Sequence, residues 1–341
     1  MIGKVFVTGA TGYLARHVIR ELLESGYQVV GSVRDLAREA ELRAALMPAV
    51  SDPRARNRLG LKKLDLNSDA GWGQAMSGCT ALLHIASPFP MTQPKDEETL
   101  LRPAVDGTRR VLMAATEAGI DRVVLTSSIA AVTDCPLREG QTHYDESNWS
   151  DVNGSANPYS KSKTLAERAA WDFVTNEGGA LNLTTINPSV ILGAPIGTGF
   201  GTSVSVVRRI LGGRDPMVPR LGFSYCDVQD VAGAHVKALS EPKSINERII
   251  VDSGFLWMEE LAKHLKSLYP DRRIAQRVAP DVVMRLIGLF DAPVRSVLPS
   301  LGQRRDLSHD KLQQILGITP RPALDVVGET ADFLIENNLV D

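Results

Sequence analysis

The hydrophobic positions of the chain alternate between two spacings along most of its length. Short apolar runs predict strands at KVFVT (4–8), QVVGSV (28–33), LKKLDL (61–66), ALLHIA (81–86), RVVLTSS (122–128) and LTTIN (183–187). Apolar residues at helical spacing predict helices between them, among others over 13–25, 99–118 and 158–176. Strands that alternate with helices indicate βαβ units and therefore a parallel sheet with helices on both faces. The pattern thus predicts an α/β protein with a doubly wound, Rossmann-like sheet.

The pattern changes near Pro188. Residues 188–203 are rich in glycine and proline and predict a long loop. A helix, a loop, a second helix and one further strand, RIIVD (248–252), follow, and then a mostly helical tail with several prolines. We therefore expect a dinucleotide-binding domain and a smaller, mostly helical substrate-side lobe. The domain would comprise 1–187 with 213–252 returning to it, and the lobe 188–212 with 253–341.

Composition and charge narrow the class of protein. The chain has 341 residues, 43% of them hydrophobic, which suffices for a sizeable core, and a formal net charge of −2. This charge provides no attraction to nucleic acid or to an anionic membrane surface. No leader peptide and no long apolar span are evident, and the three cysteines are scattered. We expect a cytoplasmic monomer or homodimer with neither a nucleic-acid nor a membrane partner.

The stretch TGATGYLA (8–15) follows the first predicted strand and opens the first predicted helix. Gly9 permits a tight turn, Gly12 allows the backbone to approach a pyrophosphate, and Ala15 is small enough for close packing of helix on strand. The helix N-terminus adds free N–H groups and positive dipole. An ordinary strand-to-helix corner is the alternative. The position after the first strand of an alternating α/β chain favours a dinucleotide site.

The end of the second strand indicates which dinucleotide binds. An NAD-binding protein usually carries an acidic residue there, which binds the ribose hydroxyl. In this chain Arg34 occupies the position, and arginine pairs with the 2′-phosphate of NADP(H). We expect the neighbouring Asp35 to cap the helix that follows. Asp65, after the third strand, is placed either to contact adenine or to cap the next turn.

Three side chains could perform proton chemistry beside a nicotinamide. Tyr159 and Lys163 lie one helical turn apart and share a helix face, and Ser128 ends a strand. The carboxyl ends of parallel strands border the ligand crevice, so the three can meet there. A nearby cation stabilises a phenolate and helps tyrosine to exchange protons. A surface pair is the alternative for Tyr159 and Lys163, but their order after a glycine turn and a strand-end serine favours catalysis.

The sequence resembles the extended short-chain dehydrogenases/reductases, and within them the dihydroflavonol-reductase-like microbial aldehyde and ketone reductases. The matching stretches include VTGATGYLARHV, GSVRD, LHIASPFP, VVLTSSIAAV, NPYSKSKTLAERAAWDF, INPSVILGAP and DVQDVAGAHVKAL, and they lie between residue 4 and about residue 240. The resemblance implies Ser128, Tyr159 and Lys163 as the catalytic residues. The cofactor contacts expected are Gly9, Thr11, Gly12, Tyr13, Leu14, Arg34, Asp65, Leu66, Ala86, Ser87, Pro188 and Ser189.

Departures from related subclasses bear on the substrate. NPYSKSK differs from the NWYCYGK of cinnamoyl-CoA reductases, and Thr133 stands where plant flavanonol reductases have asparagine. Sugar dehydratases carry an acidic pair where Ile129 and Ala130 stand. We therefore expect a carbonyl reductase that uses NADPH, with Tyr159 as proton donor, and a small apolar aldehyde or ketone as substrate. The candidate pocket residues are Pro88, Phe89, Met91, Val132, Ile196, Phe200 and Phe223.

Two other functions remain open. An epimerase or dehydratase of nucleotide sugars would use the same fold and the same three residues with a more polar pocket. A non-enzymatic NADP-binding regulator would use the cofactor site alone, although such proteins usually lose the tyrosine or the lysine. A metal enzyme is disfavoured because the histidines are scattered, and a serine hydrolase because no G-x-S-x-G occurs.

Overall fold

The computed structural model describes residues 3–87, 97–154 and 156–340. The strands are β1 Lys4–Val7, β2 Gln28–Val33, β3 Leu59–Lys63, β4 Ala81–His84, β5 Arg122–Thr126, β6 Asn182–Pro188, β7 Val190–Leu192, β8 Val218–Pro219, β9 Gly222–Asp227, β10 Glu247–Val251, β11 Phe255–Trp257 and β12 Val278–Ala279. The α-helices are α1 Tyr13–Glu24, α2 Glu39–Leu46, α3 Trp72–Met76, α4 Glu98–Glu117, α5 Pro158–Asn176, α6 Thr202–Leu211, α7 Val228–Ser240, α8 Met258–Leu268, α9 Asp281–Ile287, α10 Ala292–Val297, α11 Asp310–Leu316 and α12 Ala323–Glu336.

Seven strands of the described chain form one sheet in the order β10-β6-β5-β4-β1-β2-β3. Every pairing in it is parallel. The chain leaves β1 toward β2 and β3 on one side and continues to β4, β5 and β6 on the other. The strand order therefore reverses between β1 and β4, and ligands bind at such a switch point, beyond the carboxyl ends of the strands. The prediction of a doubly wound Rossmann-like sheet is confirmed.

Helices cover both faces of this sheet, as the hydrophobic pattern of the strands requires. On one face α1 and α7 pack together, and Val18, Ile19 and Leu22 of α1 are fully buried. On the other face α4 packs along α5, over a cluster that includes Phe6 and Trp72. Burial on both faces accounts for nearly continuous apolar strands such as VVGSV and ALLH.

A smaller lobe rests on the carboxyl edge of the sheet. Three strands form a second sheet in the order β11-β9-β7, and β8 pairs with β12. Helices α6, α8 and α12 pack around an apolar cluster with Leu192, Val207 and Leu261. The lobe thus supplies a second wall above the edge of the sheet where the strand order reverses.

Two sequence predictions in this region are wrong in part. Residues 188–203 are not one long loop, because β7 lies within them, and the loop expected between the next two helices contains β9. The two strands pair with each other in parallel, Val190 opposite Tyr225. Within the segment 213–252, β9 joins the lobe, whereas α7 and β10 join the main sheet. The division of the chain into the two predicted domains stays a prediction.

The predicted strand LKKLDL is displaced in the structure. Strand β3 begins at Leu59 and ends at Lys63, where its partner β2 also ends, opposite Val33. Asp65 therefore lies beyond the strand, in a turn. Along the described residues, no helix is both long and apolar enough to cross a membrane.

Candidate active site

A large cavity lies between the carboxyl edge of the main sheet and the smaller lobe. Its volume is about 1710 Å³. The structure places every catalytic and cofactor residue expected from the sequence on its wall. These residues are Gly9, Thr11, Gly12, Tyr13, Leu14, Arg34, Asp65, Leu66, Ala86, Ser87, Ser128, Tyr159, Lys163, Pro188 and Ser189. The fold thus brings together residues that lie up to 180 positions apart in the chain.

The glycine turn places the backbone of Gly9 and Gly12 on the cavity wall. Gly9 has a φ of +69°, and a Cβ atom on it would lie 2.9 Å from the Cβ atom of Ala86. Its N–H donates to the Ser32 hydroxyl at 3.0 Å, and the Gly12 N–H donates to the Gly9 carbonyl at 2.9 Å. A side chain at Gly9 would be strained and crowded. The turn fits a ligand that approaches the main chain closely, such as a pyrophosphate.

The first turn of α1 opens onto this turn. Gly12 is its N-cap and has no side chain to accept from the first N–H groups of the helix. These groups and the positive end of the helix dipole form an anion site. Tyr13 is anchored beside it, because its hydroxyl donates to the Gly193 carbonyl at 2.8 Å. The described residues therefore fit the phosphates of a dinucleotide.

At the end of β2, Arg34 is exposed and lines the cavity. Asp35 is turned to its own backbone, since its carboxylate accepts from the Ala37 N–H at 3.0 Å and caps the following 3-10 turn. The predicted capping role of Asp35 is confirmed. Arg38 is held by Glu41 at 3.0 Å, and Glu41 also accepts from Arg16 at 2.8 Å. Only Arg34 of these arginines lines the cavity among the described residues.

Asp65 and Leu66 line the cavity beyond β3. The Asp65 carboxylate accepts from the Asn67 N–H at 2.9 Å, as expected for a residue that caps a turn. Asp65 also lines the cavity wall, where an adenine could reach it, and this contact stays a prediction. Both expected positions of Asp65 are therefore compatible with the structure.

A buried threonine positions the chain after β4. The Thr8 hydroxyl accepts from the N–H groups of Ile85 and Ala86, each at 2.9 Å, and therefore donates its proton to His84 Nδ1, also at 2.9 Å. Burial lowers the pKa of His84 to about 3, and the charge of Lys163 adds to this effect. His84 is thus neutral, with its ring proton on Nε2. The arrangement fixes the backbone of Ala86 against the glycine turn.

Ser128 follows β5 at the edge of the sheet and is half-buried. Its hydroxyl oxygen accepts from the Ala130 N–H at 3.1 Å, which makes it the cap of the short turn 129–131. Its carbonyl accepts from the amide of Asn187 at 3.3 Å. Because the hydroxyl oxygen is an acceptor in this turn, its own proton remains available for a ligand oxygen.

Tyr159 and Lys163 lie in the first turns of α5 and are half-buried on the cavity wall. Asn157 starts the helix, since its side chain accepts from the Ser160 N–H at 3.0 Å, and Pro158 occupies the first helical position. The side chains of Tyr159 and Lys163, four residues apart, line the same cavity as Ser128, which follows β5. A hydroxyl, a phenol and an ammonium group thus border the same space.

The structure agrees less well with the substrate pocket predicted from the sequence. Phe223 lines the cavity, but Val132 and Ile196 are buried in other clusters and Phe200 packs against the lobe. These three assignments are wrong, because apolar character alone does not distinguish a core residue from a pocket residue. Pro88, Phe89 and Met91 lie outside the described residues.

Five charged residues of the described wall were not anticipated from the sequence, namely Asp134, Arg209, Asp215, Asp291 and Arg305. Arg305 and Asp134 both line the cavity and form an ion pair across 171 residues of sequence. Asp134 follows the turn after Ser128, whereas Arg305 comes from the tail. No local sequence signal connects them, since their pairing depends on how the lobe packs.

Comparison with known proteins agrees with this geometry. Residues 5–252 match the model of the NAD dependent epimerase/dehydratase family. The chain belongs to this family. It is 35% identical over 305 residues to tetraketide alpha-pyrone reductase 1 of Arabidopsis thaliana, covering 88% of this chain and 90% of that one. It is 30% identical over 353 residues to the ketoreductase azaE of Aspergillus niger, covering 98% of each.

The structural comparison extends over the whole chain. The crystal structure of the yeast methylglyoxal/isovaleraldehyde reductase Gre2, complexed with NADPH, superposes with a TM-score of 0.80 at 27% identity and covers 99% of this chain and 100% of that one. The resemblance to the extended short-chain dehydrogenases/reductases is confirmed. The family and these reductase relatives place the chain among oxidoreductases of the extended type.

Proposed function

We propose that this protein reduces an aldehyde or a ketone to an alcohol with NADPH. One observation carries the proposal: the glycine turn, Arg34 and the three residues Ser128, Tyr159 and Lys163 line one continuous cavity. The solved relative named above is an NADPH complex, and the sequence relatives are named as reductases.

Different groups of residues along the cavity would each hold one part of the cofactor. The glycine turn and the first turn of α1 would bind the pyrophosphate, and the Arg34 guanidinium would bind the 2′-phosphate. Asp65 and Leu66 would border the adenine. At the other end, Ala86, Ser87, Pro188 and Ser189 would border the nicotinamide. The bound nicotinamide supplies a hydride to the carbonyl carbon of the substrate.

The chain's own residues would supply the proton and hold the substrate oxygen. Ser128 would donate a hydrogen bond to the carbonyl oxygen, and Tyr159 would transfer its phenolic proton to that oxygen as negative charge develops there. Lys163, one turn further along α5, would stabilise the phenolate that remains. The carbonyl carbon is reduced by two electrons, and the product is the alcohol.

The charges on the substrate side of the cavity favour an apolar carbonyl compound over a nucleotide sugar. Asp134 pairs with Arg305, and Arg209 pairs with Asp215 at 2.6 Å. Asp291 accepts from the Val294 N–H at 3.0 Å and caps α10. Each of these charged wall residues thus already has a partner within the described chain. Both arginines on this side of the described wall are already paired with a carboxylate, so a diphosphate would have to compete with Asp134 and Asp215 for them.

A turnover assay tests the proposal. Purified protein would be incubated with NADPH and a panel of aromatic and aliphatic aldehydes and ketones, with NADPH consumption and alcohol formation measured together. We expect stoichiometric alcohol and NADP⁺. Epimerised or dehydrated nucleotide sugar, with no carbonyl reduced, would instead establish the epimerase/dehydratase alternative. Tight NADPH binding without turnover of any compound would favour the regulator.

A further inference from the structure

The cavity continues well beyond Tyr159 into the smaller lobe. Its wall there is formed largely by apolar side chains of α6, α9 and the segment before β8, among them Val206, Ile210, Met217, Val283, Met284 and Ile287. The space on the lobe side, which these residues border, therefore forms an apolar extension of the site. We call it the apolar arm.

The apolar arm opens to solvent between α6 and α9. Ile287 lines it and is 44% exposed, and Arg209 lines it with a side chain that is 70% exposed. Met284, one turn earlier on α9, is buried. The wall thus passes from buried to exposed along α9. The surface around this opening is also apolar, because Leu286, Leu289 and Phe290 are exposed.

We propose that the substrate is an aldehyde or ketone whose carbonyl group is joined to an extended apolar body that lies along α6 and α9 and reaches the opening at Ile287. This inference rests on the proposed function and specifies its substrate class. A compact aldehyde would fill only the space beside Ser128 and Tyr159. Water would then fill the apolar arm, and the arm would contribute no binding free energy. A longer body would bury apolar surface along the whole wall and would bind more tightly.

A homologous series of substrates tests this in the unaltered protein. Straight-chain aldehydes from butanal to dodecanal, kept below their solubility limits, would be compared by kcat/KM with NADPH. Burying one methylene group contributes about 0.8 kcal/mol, which corresponds to a gain of up to about fourfold in kcat/KM per methylene. We expect kcat/KM to rise through the middle of the series and to level off once the chain emerges beside Ile287.

The outcomes separate this inference from the proposed function. No turnover of any aldehyde in this series, nor of any aldehyde or ketone in the panel described above, would overturn the proposed function itself. Turnover with the same or a lower kcat/KM from hexanal upward would overturn the inference alone, since the catalytic residues would act but the apolar arm would not contribute.

Substitutions at two adjacent residues test where the alkyl chain of the substrate lies. Ile287 and Leu286 are both exposed near the end of α9, but only Ile287 lines the cavity within the described residues. We expect Ile287→Asp to lower kcat/KM for dodecanal about tenfold or more, and to lower it much less for butanal, whose carbon chain is too short to reach this residue. Leu286→Asp, which changes the same helix end equally, should leave both unchanged. The same chain-length dependence in both variants would overturn a path along α9.

Discussion

Arg248 donates from Nε to a carboxylate oxygen of Glu167 at 2.6 Å, and both side chains are buried. Glu167 lies one helical turn beyond Lys163 on α5, whereas Arg248 lies on the edge strand β10. The Glu167 carboxylate also accepts from the Ser127 hydroxyl at 2.6 Å and from the Asn187 amide at 2.8 Å. This ion pair and its hydrogen bonds therefore hold α5, which carries Tyr159 and Lys163, against the strand ends next to Ser128.

The partners of Arg248 extend this connection to the loop before α5. Its guanidinium lies 3.7 Å from the ring centroid of Trp149 and donates to the carbonyls of Glu146 and Asn148 at 2.6 and 2.7 Å. Each nitrogen of the guanidinium and each oxygen of the Glu167 carboxylate thus has a hydrogen-bond partner within the protein. A buried ion pair is stable only under this condition, because the loss of one partner leaves the other charge buried and unpaired.

The first prediction concerns stability. Glu167→Gln keeps the shape of the side chain but removes its charge, and should lower the free energy of unfolding by about 3–5 kcal/mol. Urea denaturation would measure this. Glu259→Gln is the matched control, because Glu259 pairs with Lys263 on the exposed face of α8, where such a pair contributes about 0.2–1 kcal/mol. Equal losses in the two variants would contradict the role assigned to the buried pair.

The second prediction concerns the proposed proton donor. Tyr159→Phe retains the ring but not the acid, and should lower kcat about 10²- to 10⁴-fold with NADPH affinity unchanged. Turnover measurements and NADPH titration would separate the two effects. Tyr269→Phe removes a hydroxyl that bonds Asp332 on the exposed side of the lobe and should turn over at the wild-type rate. A folded Tyr159→Phe variant as active as wild type would remove this tyrosine from the mechanism.

The third prediction concerns cofactor preference. The exposed Arg34 guanidinium can hold a 2′-phosphate, and a hydrogen bond to a charged group contributes about 1.5–3 kcal/mol. Arg34→Ala should therefore raise the KM for NADPH about ten- to hundredfold and change the KM for NADH little. Arg38→Ala should have a smaller effect, because Glu41 already holds that arginine. Equal efficiency with both cofactors in the wild type, unchanged by Arg34→Ala, would show that Arg34 does not select the cofactor.

The fourth prediction concerns the dependence of stability on pH. Asp252 is 1% exposed, and burial raises the pKa of its carboxyl to about 7, against the hydrogen bond that it accepts from the Gly254 N–H. The folded protein thus holds this proton to higher pH than the unfolded chain, whose aspartates titrate near pH 4. This carboxyl should therefore lower stability as pH rises from about 4 to about 7, with no further loss above that range.

Asp252→Asn removes this titration. The variant should gain free energy of unfolding relative to wild type as pH rises through that range, by an amount of the order of 4 kcal/mol. Thermal or urea denaturation at several pH values would measure the difference. A difference between variant and wild type that is the same at pH 4 and pH 8 would contradict the raised pKa.

The sequence alone determined most of the central sheet and the proposed cofactor side of the site. Hydrophobic spacing of 2 and 3.6 residues is a local property, so α1 and α5 lie within one residue of their predicted bounds. The glycine turn and the Tyr159–Lys163 pair are equally local, because steric freedom at Gly9 and the rise of one helical turn fix their geometry. The capping role of Asp35 was predictable for the same reason.

Only the tertiary structure decided the substrate side. Strands β7 and β9 are short, and their pairing joins segments that no periodicity connects. Val132 and Ile196 have the same apolar character as Phe223, yet packing buries the first two and exposes the third to the cavity. The apolar arm arises where α9 lies near α6 and the segment before β8, and the Arg305–Asp134 pair arises where the tail meets the edge of the sheet. Such contacts depend on how distant segments pack, and the hydrophobic effect that drives packing has no direction of its own.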